Sequence, residues 1–304
     1  ILRQKLNLAI SILKREHLPI NPEVMETLIS NDLMKRLEQL QLLAQRRSKS
    51  SSKGERRSRA RGYSVEFADY RNYVPGDDLR RIDWNLFGRL GRLFLKLYEE
   101  ERELPVTIYL DASESMLFGE VTKFDFARQV AAAIGYVSLC GFDRVTVEPF
   151  PLVDSQKSLA GELRSVRGRH SSIRFFDSLN QLKVGGAGDL NQVLRLGSIK
   201  HRDPGIVVVL SDFLNLDGYE AGLRSLTNRG SDVHAVQILA EEELEPSTYG
   251  DLKLIDSETG AEQEVTFGKY RLKTYQMTVH KYCQRLRDFC QARGIHYQLA
   301  QSNT

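Results

Sequence analysis

Cysteine is scarce in this 304-residue chain, with three residues in all. Two of them, Cys283 and Cys290, are seven positions apart in a stretch that reads as helix, a rise of about 10 Å and too far for a disulfide. Reduced, structural thiols are the expectation. Long apolar runs are missing as well: Ile206 to Leu210 falls far below the roughly 20 residues of a spanning helix. No charged-then-apolar leader opens the sequence, and the two absences together predict a cytoplasmic protein. The net charge of +3 is too small for a whole-protein nucleic-acid signature. The six histidines, His17, His170, His201, His234, His280 and His296, show no paired ligand spacing. No Gly-x-x-x-x-Gly-Lys loop is present to cradle phosphate. What is there is 41% hydrophobic residues, enough for a sizeable core in one large or two modest domains.

Residues 1–45 read as helical. Asn21-Pro22 fits an N-cap followed by proline in the first turn, and Leu33, Leu37 and Leu40 recur at helical spacing. Residues 46–61, Arg46 to Arg61, mix serine, glycine and like charge without apolar periodicity and read as a flexible basic connector. Residues 62–104 interleave Tyr63, Phe67, Tyr70, Tyr73, Trp84 and Phe87 with Asp77, Asp78, Arg80, Arg81, Asp83 and Arg89. Pro75-Gly76 marks a turn, and Arg92 to Tyr98 reads as a strand. This predicts a small β-containing element whose aromatics are core and whose arginines and aspartates form an ion-pair network.

From residue 105 to 304 strands and helices alternate. Strands are predicted at Val106 to Leu110, Arg144 to Phe150, Ile206 to Leu210, Val233 to Leu239 and Ile295 to Leu299. Phe126, Val130, Ile134 and Val137 form one helix face, and Leu272, Tyr275, Val279, Tyr282, Leu286 and Phe289 a longer one. Leu252 to Gly260, leading into Glu264 to Phe267, reads as a hairpin. The alternation predicts an α/β fold, a doubly wound and mainly parallel sheet with flanking helices, preceded by the small helical and β-containing N-terminal region.

Chemistry concentrates where the first of these strands ends. Asp111-Ala112-Ser113-Glu114-Ser115 places a carboxylate and two hydroxyls on one turn, hard oxygen donors suited to Mg²⁺ or Mn²⁺. The later strand from Ile206 ends in Ser211-Asp212, and a doubly wound sheet allows these two ends to meet. The bland alternative is a loop in which the serines cap the following turn. Two further function classes are open. Asp77, Asp78 and Asp83 together suggest a metal-dependent phosphodiester hydrolase, although nothing supplies a nucleophile or base. The connector Arg46 to Arg61 suggests salt-sensitive nucleic-acid binding.

Asp-x-Ser-x-Ser after one strand and Ser-Asp after another resembles the metal-ion-dependent adhesion site of von Willebrand factor A domains. The upstream residues Arg57-Ser58, Arg61-Gly62, Glu66-Phe67, Tyr70-Arg71, Tyr73, Gly76-Asp77-Asp78, Arg80, Ile82-Asp83-Trp84, Arg89 and Glu100 resemble the signature of the bacterial domain-of-unknown-function family 58. Arg71, Asp77, Asp78, Arg80, Asp83, Trp84 and Arg89 are its most diagnostic members. The resemblance implies a von Willebrand factor A-like fold and a non-enzymatic, metal-dependent protein-binding module. It further implies Mg²⁺ or Mn²⁺ on Asp111, Ser113, Ser115 and Asp212, and an acidic side chain from a partner, a MoxR-class AAA+ ATPase that the chain serves as adaptor or assembly cofactor. One departure stands out: the family's third loop carries a threonine ligand where this chain has Gly188, within Gly185-Gly186-Ala187-Gly188-Asp189-Leu190. Water, Asp189 or a weakened site are the alternatives it leaves.

Overall fold

A computed structural model describes residues 28, 32–39, 65–100, 103–152, 154–185, 188–201, 203–215, 217–228, 230–246, 250–255, 262–267 and 269–302. The expected helix start at Asn21-Pro22 and the basic connector lie outside them. The described residues fall into two compact units, one made of residues 65–103 and the other of residues 32–39 together with Leu104 onward. Residues 32–39 therefore belong with the α/β unit.

The α/β unit is built on six strands. In chain order they are β3 (Pro105–Asp111), β4 (Arg144–Phe150), β5 (Val166–Arg167), β6 (Ile206–Ser211), β7 (Asp232–Leu239) and β10 (His296–Gln301), where β1 (Val65–Asn72), β2 (Phe94–Glu100), β8 (Gly250–Ile255) and β9 (Glu262–Phe267) lie outside this sheet. Their spatial order is β10-β7-β6-β3-β4-β5. All neighbours are parallel except the short β5, which is antiparallel to β4. The first strand thus sits mid-sheet beside the fourth, and the chain winds outward from there in both directions.

Strand residues alternate between two helical layers, the period-two rule of a pleated sheet. Val106, Ile108 and Leu110 of β3, with Val208 and Leu210 of β6, pack on α3 (Lys123–Cys140), whose Phe126, Val130, Ile134 and Val137 are all buried. The residues between them, Tyr109, Val207 and Val209, pack with Leu190 and Leu194 of α6 (Leu190–Lys200), Leu223 and Leu226 of α7 (Glu220–Thr227), and Leu286 and Cys290 of α9 (Lys269–Gln291). The remaining helices are α4 (Lys157–Glu162), α5 (Ser172–Asn180) and the single turn α8 (Glu241–Leu244). Among the described residues no helix is long and apolar enough to cross a membrane, and Cys140, Cys283 and Cys290 are free thiols.

The helix α1, residues 32–39, inserts Leu33 and Leu37 into the α3 layer. Its Glu38 accepts hydrogen bonds from Tyr136 of α3 and from Arg169. A hairpin of β8 (Gly250–Ile255) and β9 (Glu262–Phe267) pairs antiparallel, as the sequence predicts. The final strand begins one residue later than expected, at His296, because Gly294 adopts a left-handed conformation that ends α9 with a turn.

The other unit pairs β1 (Val65–Asn72) antiparallel with β2 (Phe94–Glu100), joined through a 3₁₀ turn at Leu79–Arg81 and helix α2 (Trp84–Leu90).

Leu37 is fully buried. Leu37→Ala is expected to lower stability by about 2–5 kcal/mol in urea unfolding; an unchanged midpoint would show that α1 is dispensable to the core.

Candidate functional site

The crevice of a doubly wound sheet opens beyond the carboxyl ends of the two central strands, where the connections diverge. Here those strands are β3 and β6, and each ends in an acid. Asp111 closes β3 and is almost wholly buried. Its Oδ1 accepts the Ser113 amide at 3.0 Å and the Ser113 hydroxyl at 2.7 Å, while Oδ2 accepts the Ser211 hydroxyl of β6 at 2.6 Å. The Ser113 and Ser115 hydroxyl oxygens are 3.0 Å apart. Burial, and after it the charge of Asp212, push the Asp111 carboxyl up to about 6, against the pull of the Ser211 and Ser113 hydrogen bonds.

Asp212 follows β6. Its Oδ1 accepts the Leu214 amide at 3.0 Å, and its carbonyl accepts Gln237 Nε2 at 3.0 Å. Its Oδ2 accepts Lys123 Nζ at 2.8 Å, and the same ammonium donates to Glu243 Oε1 at 2.7 Å. Lys123 is 1% exposed. Burial alone lowers its affinity for a proton, but the charges of Asp212 and Glu243 outweigh that and raise it, so the side chain is an ammonium. Lys123 sits in the first turn of α3, where the helix dipole disfavours a cation. That placement, beside Thr122 as N-cap, was the available sequence signal for an acidic partner.

Between Asp212 and Leu214 the backbone of Phe213 takes φ +58°, a left-handed conformation costly for a residue with a side chain. Three contacts hold it: its amide donates to Ser211 Oγ at 2.9 Å, its carbonyl accepts the Tyr282 hydroxyl, and its buried ring meets Tyr219 edge to face at 6.2 Å. Across the bend the Leu214 amide donates to Asp212 Oδ1.

The third loop joins the same crevice from both of its described ends. The Gly185 amide donates to the Ala112 carbonyl at 3.0 Å, and Asn215 Nδ2 donates to the Gly188 carbonyl at 3.1 Å. Gly186 and Ala187 lie outside the described residues. A Cβ at Gly188 would stand 2.9 Å from Pro151 Cδ, so a threonine there requires the loop to move. Asp189 is an N-cap, its carboxylate accepting the Gln192 amide at 3.0 Å; the expectation that it swings in as a metal ligand runs against this capping role. Asn215 Oδ1, next to Gly188, is buried and has no hydrogen-bond partner among the described residues.

Do these groups suit a divalent ion? The Ser113–Ser115 oxygen separation matches the edge of an octahedron with metal–oxygen bonds of about 2.1 Å. The donors are hard oxygens, and while Asp212 and Glu243 share the Lys123 ammonium, Asp111 bonds two hydroxyls and an amide, which leaves negative charge for a cation to compensate. The donor set on the Asp111 turn fits Mg²⁺. Asp212, already paired with Lys123, is the less available partner.

A profile described as "Protein of unknown function DUF58" matches residues 69–283. The chain belongs to this family. Its DUF58 relatives include Uncharacterized protein Rv1480 of Mycobacterium tuberculosis and Uncharacterized protein Mb1516 of Mycobacterium bovis, each 29% identical over 208 residues, covering 67% of this chain and 64% of the relative. The chain thus spans about two thirds of the length of those mycobacterial proteins. Among solved structures it is similar to conserved hypothetical protein BatB from Bacteroides thetaiotaomicron (13% identity, TM-score 0.38, covering 65% of this chain and 90% of that one). It is also similar to an aerotolerance-related membrane protein from Bacteroides fragilis NCTC 9343 (16%, 0.35, 66% and 93%).

In this DUF58 chain the diagnostic residues of the β1–β2 unit have separate local tasks. Asp77 accepts Arg71 Nη2 at 2.8 Å and the Val74 amide at 2.9 Å, and these bonds, the amide first, hold its carboxyl below the ordinary range. Asp78 caps the 3₁₀ turn through the Arg80 amide, and Asp83 caps α2 through the Asn85 and Leu86 amides while accepting the Tyr70 hydroxyl. Arg80 and Arg89 are exposed. The three aspartates thus serve turn and cap geometry, and among the described residues they are not gathered into one metal-holding group. The aromatic expectation is corrected too: Trp84 is 62% and Phe87 41% exposed, stacked edge to face on each other at 6.2 Å. Alternation with charged residues marked a surface here because α2 has no buried residue at all.

Removing one partner of a buried charge pair leaves the others uncompensated. Lys123→Met is expected to cost about 3–5 kcal/mol, and adding Asp212→Asn to recover part of it; strictly additive losses in that double-mutant cycle would deny the pairing. For Asp111 the folded carboxyl, at about 6, holds its proton more tightly than the unfolded one at 3.8. The burial penalty is therefore absent below the lower value and complete above the upper. In chelator, Asp111→Asn should gain stability relative to the parent as pH rises through that window, and a constant difference would show that Asp111 carries no such penalty.

Proposed function

We propose that this DUF58 chain is a non-enzymatic protein-binding module with a von Willebrand factor A-like domain, and that the cluster at the ends of β3 and β6 holds Mg²⁺ or Mn²⁺. The observation that carries the reading is the meeting of Asp111, Ser113 and Ser115 with Ser211 and Asp212, residues about a hundred positions apart, at the crevice of the sheet. Asp111, Ser113 and Ser115 are the ligands in this reading, with Asp212 acting through water because Lys123 already holds one of its oxygens. Asn215, whose Nδ2 donates to the Gly188 carbonyl, also carries a buried Oδ1 with no hydrogen-bond partner among the described residues, an oxygen available to a site that Gly188 leaves without a hydroxyl. When bound, the ion supplies a Lewis-acidic position for a carboxylate of another molecule.

An acidic side chain of a protein partner completes that shell, and a MoxR-class AAA+ ATPase is the partner that the sequence resemblance favours. The exposed Trp84 and Phe87, with Arg80 and Arg89, offer a second contact surface on the β1–β2 unit. Nothing in this scheme requires the chain to turn over a substrate.

Calorimetric titration with Mg²⁺, followed by capture of a purified MoxR-class ATPase with and without EDTA, tests it. Asp111→Ala is expected to abolish both Mg²⁺ binding and metal-dependent capture while the fold remains intact by circular dichroism. Capture that is equal in EDTA would remove the ion from the interaction.

A further inference from the structure

The opposite, amino-terminal end of the same sheet carries a second constellation. Asp232 and His234 are two apart on β7 and so project from one face. β10 lies parallel beside β7 with His296 directly opposite His234. Register thereby unites two histidines that are far apart in the sequence. The His296 Nε2 lies 3.2 Å and the His234 Nε2 3.6 Å from the same oxygen, Asp232 Oδ1, and one ligating atom from each residue lies within 4.8 Å of the others. The two imidazole rings are tilted at 42° with centroids 4.8 Å apart.

We infer that Asp232, His234 and His296 form a binding site for a borderline divalent transition cation, with Zn²⁺ as its probe. Tetrahedral bonds of about 2.0 Å place neighbouring ligand atoms about 3.3 Å apart, and the two nitrogen-to-oxygen separations bracket that value. Exposure is graded in the sense a loadable site needs: His234 is 2% exposed and anchors the site, while His296 and Asp232, at 30% and 46%, open it to solvent. Three protein ligands leave a fourth position for water or an exogenous ligand. Two imidazoles and one carboxylate favour Zn²⁺, Ni²⁺ or Cu²⁺ over Mg²⁺, so this site and the oxygen cluster at the other end of the strands select different ions. A bound ion would pin the first residue of β10 to β7.

The test uses the full chain stripped with chelator and titrated with Zn²⁺ by calorimetry and with Co²⁺ by visible absorption, for the parent, His296→Gln, Asp232→Asn and Asp111→Ala. The parent is expected to bind one Zn²⁺ at this site and to develop Co²⁺ ligand-field bands. His296→Gln and Asp232→Asn should each weaken Zn²⁺ by at least about tenfold and lose the bands, while their metal-free melting temperatures stay near the parent's. Asp111→Ala should leave both signals unchanged. Absence of the bands in the parent, equal Zn²⁺ affinity in His296→Gln, or loss of the signals in Asp111→Ala would each overturn the assignment; the last would place the ion at the carboxylate cluster.

Discussion

Lys123 enters from the first turn of α3, Asp212 from the end of β6 and Glu243 from the turn beyond β7, so three elements remote in sequence are joined at one ammonium. In so buried a setting the arrangement is all or nothing. The ammonium satisfies both acids, and either acid alone would leave charge stranded in a poorly polarisable interior. Glu243 extends the tie by accepting the Ala240 amide at 2.8 Å, and Gln237 extends it from the Asp212 carbonyl to the Tyr297 hydroxyl of β10. Five elements, α3, β6, β7, α8 and β10, are thus cross-braced before any ligand is considered.

This bracing gives the two crevice acids different characters. Asp212 faces the Lys123 ammonium, whereas Asp111 accepts from two hydroxyls and an amide, lies near the Asp212 charge and bears the cost of burial, which pushes its own carboxyl up. The left-handed Phe213 belongs to the same account: its strained turn persists because Ser211, Tyr282 and Tyr219 over-determine it. Across that turn the Leu214 amide holds the Asp212 oxygen that Lys123 does not.

Most of the α/β frame was legible because its physics is local. The runs from Val106, Arg144, Ile206 and Val233 are parallel strands, buried except for Arg144 and Glu148, and read as such, and the apolar stripe of α3 has the helical period. Even the pairing of the Asp111 turn with Ser211-Asp212 followed from topology. What sequence could not show were contacts between residues about 60 to 120 positions apart that carry no periodic trace, Lys123 with Glu243 and His234 with His296. Spacing along the chain carries no sign of the two histidines as a pair, because it is strand register that brings them together. Two-residue β5 went unseen because it is too short to display alternation. Trp84 misled for another reason: a large aromatic is a fair bet for a core only if the element bearing it has an inner face, and α2 has none.

That same β5 has a consequence for how the molecule behaves in company. The outermost strand on one flank of the sheet consists of Val166 and Arg167 alone, running against the direction of its neighbours. So brief a margin, carrying a guanidinium, presents almost no backbone ladder for a stranger's chain to extend, and it blunts that flank against the rim-to-rim stacking by which open sheets aggregate.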